Sequence, residues 1–252
     1  MTPALTGWRV LVPRAGDWGD RVARSLAAVG AEPVVAPLVR TEPVDSPALR
    51  DALDALIAGE PDWLVVTSAA TVDVLRGRRV GRDVRVAAVG PATAEALRTV
   101  GLPVHRVPSG EHSAAGLVDL WPLAGTEPEH VLLLCSDLAS PELAEGLRRR
   151  GHRVERVVAY RTRGVPLDAA VRVALSAPGP RAVLVTSGSV AQALAAEPAA
   201  VRDGALVACL GPRTARAARE AGLPVHLVAP QRTAAALVTA LAEHVLTRRE
   251  QS

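Results

Sequence analysis

Tyr160 is the only tyrosine in the chain, hence its only phenol, with an ordinary pKa near 10. Such a group can protonate a departing oxygen. An interfacial tyrosine whose ring packs and whose hydroxyl finds a partner is the ordinary alternative. A second set of candidates is a series of small polar turns: Thr67-Ser68-Ala69, Gly90-Pro91-Ala92-Thr93, Thr186-Ser187-Gly188-Ser189 and Gly211-Pro212-Arg213-Thr214. Each joins a short apolar run to a segment of helical spacing. Exposed N–H groups at a helix start favour anions, and small side chains let a ligand reach the backbone. Pro91 and Pro212 suit the first helical position, where a missing N–H costs little. Two further turns, Pro13-Arg14-Ala15-Gly16 and Ser136-Asp137, follow other apolar runs. Together these residues offer anion binding and one weak acid. Ser and Thr before helices are also ordinary caps.

Other chemistries find no support. All 29 basic residues are Arg, which excludes a P-loop ATPase and a Schiff-base lysine enzyme, since both need an ammonium group. There is no H-x-x-x-H, C-x-x-C, G-x-S-x-G or G-x-G-x-x-G. His105 and His226 sit in a recurring LPVH and read as strand-surface or edge residues. The net charge of +3 suits a small acidic ligand better than nucleic acid, because no Arg-rich stripe with interleaved aromatics occurs. Cys135 and Cys209 lie inside apolar runs and read as reduced packing residues. No basic flank followed by a long apolar stretch opens the chain, and no run of about 18 apolar residues occurs. The expectation is a cytoplasmic protein without membrane or nucleic-acid partners.

The elements that must hold these residues come in two copies. Val86–Val107 and Val207–Val228 share 14 of 22 positions at an offset of 121 residues. Val10-Leu11-Val12 and Val131-Leu132-Leu133, Gly30 and Gly151, and Arg40-Thr41 and Arg161-Thr162 keep the same offset. Residues 8–128 and 129–248 are thus two versions of one design. In the first, WRVLVP, PVVAP, WLVVT, VRVAAV and PVHRV read as strands. Helices are expected over Asp17–Val29, Pro47–Ala58, Ala69–Leu75, Pro91–Val100 and Ala114–Leu120. Short apolar strands alternating with helices imply α/β architecture, parallel sheets flanked by helices. Apolar residues make up 49% of the 252 residues and aromatics 2%, so the core must be Ala, Val and Leu.

Pro37–Pro43 (PLVRTEP) and Ala159–Pro166 (AYRTRGVP) hold equivalent places in the two copies. Pro-bounded, they read as extended linkers. If both are linkers, one domain is 44–158 and the other combines 1–36 with 167–252. Consecutive domains of 1–128 and 129–252 fit the residues equally well.

VVTSAATVDVL, VAAVGPATAEAL, GLPVHRVP, LAEGLRRRGHRVERVVAYRT, VLVTSGSVAQAL, LVACLGPRTARAA and QRTAAALVTAL, in this order and spacing, resemble uroporphyrinogen-III synthases across almost the whole chain. The resemblance implies two similar α/β domains joined by two extended linkers, which favours the discontinuous division, with the active site in the cleft between them. It implies cyclisation of hydroxymethylbilane to uroporphyrinogen III with inversion of ring D and loss of water, through an azafulvene and a spiro intermediate. No metal or cofactor is implied, and the expected protein is a monomer. The family's tyrosine, held to assist departure of the hydroxyl, falls on Tyr160. Its threonine falls on Thr93, with Thr214 the repeat mate, and its Thr-Ser turns fall on Thr67-Ser68 and Thr186-Ser187; Ser136, Gly188 and Ser189, in the strand-end turns, are further substrate-binding candidates. Arg14 is a further carboxylate partner, capable of a bidentate contact. The chain departs from the family pattern at Ala70, where Asn is frequent, and at Asp137, where the family often has an Arg-Gly-rich turn. An acid at 137 should repel a carboxylate. The alternative function is a divergent relative on the same scaffold, acting on another substrate or as a ligand-binding or sensory module.

Overall fold

The computed structural model describes residues 3–109, 112–167, 169–176, 179–197, 200–201 and 204–250. The elements, in chain order, are β1 (Arg9–Val12), α1 (Gly16–Ala28), β2 (Glu32–Val35), β3 (Val39–Pro43), α2 (Pro47–Ala58), β4 (Trp63–Val66), a 3₁₀ segment (Ala69–Leu75), β5 (Arg85–Ala88), α3 (Pro91–Thr99), α4 (Ala114–Asp119), β6 (His130–Ser136), α5 (Glu142–Arg149), β7 (Arg153–Gly164), α6 (Ala169–Ser176), β8 (Ala182–Val185), α7 (Gly188–Ala195), β9 (Leu206–Cys209), α8 (Pro212–Glu220), β10 (Leu227–Val228) and α9 (Ala234–Glu250). No helix of the described residues is long and apolar enough to cross a membrane.

Local rules account for most boundaries. In α2, the Ser46 side chain accepts from the Leu49 N–H, Pro47 opens the first turn, and Gly59 ends the helix at φ 79°, a conformation open chiefly to glycine. Leu49, Ala52, Leu53 and Leu56 form its buried stripe, the i, i+3, i+4, i+7 spacing of an amphipathic helix. Each buried Leu contributes about 1.5–3 kcal/mol. Strands β4, β8 and β9 are buried at every residue, as strands covered on both faces must be.

The chain forms two compact units, Met1–Arg40 with Arg163–Ser252, and Thr41–Thr162. One sheet has the order β10-β9-β8-β1-β2 and the other β3-β7-β6-β4-β5. Repeat mates occupy matching places: β1 and β6, β2 and the start of β7, β4 and β8, β5 and β9. Each sheet therefore takes strands from both copies of the repeat. Each is also layered alike. In the first unit, Val10, Val12, Leu184 and Ala208 face α1 and α9, while Leu11, Val183, Val207 and Cys209 face α6, α7 and α8. In the second, Leu64, Val86, Leu132 and Leu134 face α2 and α3, and Trp63, Val65, Ala87 and Leu133 face α4 and α5.

Two expectations are modified, and the two Pro-bounded stretches, expected to be extended, take strand form. The segment after Ser68 is 3₁₀ rather than α-helical; Thr71, Val72 and Val74 are β-branched, and the Ser68 hydroxyl accepts from the Ala70 N–H two residues on. The strand expected at PVHRV reduces to one bridge, Ala87 with Arg106; beside it the His105 Nδ1 accepts from the Val86 N–H at 3.0 Å. The expected linkers are strands, β3 and the far end of β7. The Val44 N–H donates to the Ala159 carbonyl and the Val165 N–H to the Leu38 carbonyl, a pattern that only antiparallel strands produce.

Candidate active site

In an open α/β sheet, ligands bind beyond the carboxyl ends of the strands where the strand order reverses direction. In the first unit that point lies between β1 and β8, which are direct neighbours. The turn holding Arg14 and the turn Thr186–Ser189 are thus brought together. In the second unit it lies between β6 and β4, which brings Ser136 beside Thr67 and Ser68. Thr214 follows β9, next to β8. Thr93 follows β5, next to β4.

These turns differ among themselves in a way that matters for anions, since the starts of α1, α3 and α8 have no capping side chain. Ser68 and Ser187 cap their own helices, their hydroxyls accepting from the N–H groups of Ala70 and Val190. Ser187 Oγ also lies 2.9 Å from Ser189 Oγ. By contrast α3 and α8 start at Gly90-Pro91 and Gly211-Pro212, with no capping side chain. The N–H groups of Ala92 and Thr93, and of Arg213 and Thr214, therefore face outward from a helix start uncovered by a cap. A Cβ at Gly211 would stand 3.1 Å from Cγ of Arg232, so this arginine, from the QRT segment, lies against the start of α8. Sequence reading missed it; its place in a terminal Gln-Arg-Thr motif was the available signal.

The remaining candidates sit deeper. Thr93 is 6% and Thr186 8% exposed, so both are buried. Gly188 serves packing as well: a Cβ there would stand 3.2 Å from that of Ala217, which holds α7 against α8. Arg14 is exposed, with its guanidinium 5.8 Å from the Trp18 ring centre. Its carbonyl explains Gly19, where a Cβ would overlap Arg14 O at 2.2 Å.

Tyr160 lies on β7 opposite Ser136, just past an irregularity in the β6–β7 register. It is 8% exposed and packs with Leu134, Val157 and Ala159. The Asp137 N–H donates to the Tyr160 carbonyl at 3.1 Å, and Asp137 Oδ1 accepts from the N–H groups of Thr162 at 3.0 Å and Leu138 at 3.1 Å. Arg156 Nη2 donates to the Ala139 carbonyl at 3.0 Å, tying the same loop to β7. Sequence reading singled out Asp137 only as a departure, and Arg156 not at all.

Nearby thiols are inert. Burial pushes the Cys135 thiol above its ordinary pKa, against a smaller opposing pull from Arg156. Burial pushes Cys209 up to about 11. Both cysteines are free. Among the described residues no group of three His, Cys, Asp or Glu could hold a metal ion.

The chain is similar to known proteins over most of its length. The family model described as uroporphyrinogen-III synthase HemD matches residues 20–239. The porphyrin biosynthesis protein HemD of Ruminiclostridium josui is 27% identical over 257 aligned residues, covering 96% of this chain and 50% of that protein. The chain spans about half the length of the curated relatives it matches. Among solved structures, a mutant uroporphyrinogen III synthase from the extremely thermophilic bacterium Thermus thermophilus has a TM-score of 0.63 at 22% identity, over 96% of this chain and 100% of that one. The uroporphyrinogen-III synthetase of Helicobacter pylori has a TM-score of 0.63 at 18% identity, over 94% and 99%. At these identities the structures share the fold, and the family match spans most of both units. The chain belongs to the uroporphyrinogen-III synthase family.

Proposed function

We propose that this protein closes the linear tetrapyrrole hydroxymethylbilane to uroporphyrinogen III, inverting ring D and releasing one water. Family membership supports the reaction class. The observation that carries the reading is the pair of uncapped helix starts, Gly90-Pro91 and Gly211-Pro212, at matching places in the two units. The substrate is flexible and carries eight carboxylates. The chemistry mainly needs donors that hold it curled until its ends meet. Amide N–H groups at the starts of α3 and α8 suit that task, with Arg14, the hydroxyls of Thr67, Ser68, Ser136, Ser187 and Ser189, and the backbones of Thr93, Thr186, Gly188 and Thr214.

In this reading Tyr160 is the acid. Its phenol gives a proton to the hydroxymethyl oxygen, which leaves as water and creates the azafulvene. Attack by the ring D carbon forms the spiro intermediate, which rearranges and closes. The proton lost as the last pyrrole regains aromaticity restores the phenol. Asp137, the residue that would favour a binding or sensory module, is engaged with two backbone donors, which weakens that alternative.

The proposal takes 37–43 and 159–166 as linkers between domains of 44–158 and of 1–36 with 167–252. It takes the protein as a cytoplasmic monomer, in accord with its two buried free thiols. A coupled assay supplying hydroxymethylbilane, with product isomers separated by chromatography, tests it. Uroporphyrinogen III above the spontaneous rate is expected; type I alone, at that rate, would reject it.

A further inference from the structure

A carboxylate at the mouth of a polyanion site needs a reason to be there. We infer that Asp137 is a positioning residue for Tyr160, a role that rests on the reading of Tyr160 as the acid. In a parallel ladder, a residue on one strand donates its N–H to one neighbour carbonyl and accepts from an N–H two residues further along. Asp137 makes the first bond with its main chain, to the Tyr160 carbonyl at 3.1 Å. It makes the second with its side chain, Oδ1 accepting from the Thr162 N–H at 3.0 Å. The carboxylate thereby stands in for the missing main-chain carbonyl and carries the β6–β7 pairing one step past Ser136. Without it the pairing would end at Tyr160 itself, directly beyond the irregularity between Cys135 and Ser136. Oδ1 is itself steadied by the Leu138 N–H at 3.1 Å, and the loop is tied to β7 by Arg156. On its β6 side, the backbone beyond the phenol-bearing residue is thus held by one side chain, while β3 pairs with β7 on the other. The bond needs an acceptor oxygen at this reach, which Asp and Asn share and Ala lacks.

Tyr160 is the only tyrosine, so protein labelled with ¹³Cζ-tyrosine gives a single resonance that reports its ring with no need for substrate. Asp137→Ala should move or broaden that resonance and lower kcat roughly 10–100-fold, the scale of a small misplacement of a reacting group, with KM within about threefold. Asp137→Asn should restore both. If the Ala variant does not fold, Asp137→Glu keeps the charge but shifts the acceptor by one methylene, and it should move the resonance as well. An unmoved resonance and unchanged kcat in Asp137→Ala, or no recovery in Asp137→Asn, would overturn the assignment. If the wild type does not cyclise hydroxymethylbilane, the functional reading fails separately and the resonance alone decides whether Asp137 sets the ring.

Discussion

Ser136 faces Tyr160 across neighbouring strands, one step beyond a break in their pairing. Up to that point β6 and β7 advance together, with Leu134 opposite Val157 and Cys135 opposite Val158; the next pair skips Ala159. An extra residue on one strand bends it and re-aims the side chains that follow. Ala159 and Tyr160 consequently both meet the core face that holds Leu132 and Leu134, where strict alternation would have sent them to opposite faces.

The ring of Tyr160 therefore packs on the core face, and its hydroxyl can be removed without disturbing that packing. Tyr160→Phe should slow turnover roughly 10–10³-fold, as expected for loss of one general acid, and leave the melting temperature nearly unchanged. Steady-state kinetics with hydroxymethylbilane beside a thermal melt checks both. Wild-type turnover in this variant would move the acid elsewhere.

Gly19 should tolerate no side chain. A Cβ there stands 2.2 Å from the Arg14 carbonyl oxygen, and a backbone atom cannot swing aside as a side chain can. Gly19→Ala is expected to cost about 1–3 kcal/mol and to displace the Arg14 turn. A denaturant titration should show the loss, and KM should rise more than kcat falls.

His105 and His226 are best tested together. His105 N–H donates to the Val86 carbonyl and its Nδ1 accepts from the Val86 N–H; His226 does the same with Val207. A Leu at either place leaves a strand N–H without its acceptor, a loss of about 1–3 kcal/mol. The two sites lie in different units, so the double variant should equal the sum of the singles within about 0.5 kcal/mol. A marked excess over additivity in urea unfolding would refute independence.

Glu129 should supply acid sensitivity. Burial works to raise its pKa, but Trp63, the Arg85 guanidinium at 2.6 Å and His152 outweigh it and hold the carboxyl below its ordinary 4.5. A carboxyl with a lower pKa folded than unfolded binds fewer protons in the folded state. Its contribution is complete above the ordinary value and is lost as pH falls through the lowered one. Glu129→Gln should therefore melt lower at neutral pH yet lose less stability on acidification from about pH 7 to about pH 3. Parallel melting curves for the two proteins would contradict this.

Much of the fold is legible in the residues because its signals are local. Pro47 to Gly59 marks α2 at both ends, and the apolar runs at Trp63, Ala182 and Leu206 are the buried strands. The turns that gather at the carboxyl edges could also be located, since each follows such a run. Less legible was the division of labour among them: Ser68 and Ser187 cap their helices, whereas Gly90 and Gly211 leave their helix starts uncapped.

By itself the chain's periodicity, punctuated by Gly and Pro, determined the elements and their duplication, because the spacing that buries one face is written within a dozen residues. Only the tertiary structure decided that β1 would lie beside β8 and β6 beside β4, drawing each sheet from both copies. It alone also decided that the β6–β7 pairing would slip at Ser136 and that Asp137 would reach Thr162. Those outcomes depend on which distant segments gain most by pairing, and on one side chain supplying an acceptor that a ladder lacks, neither of which any local window contains.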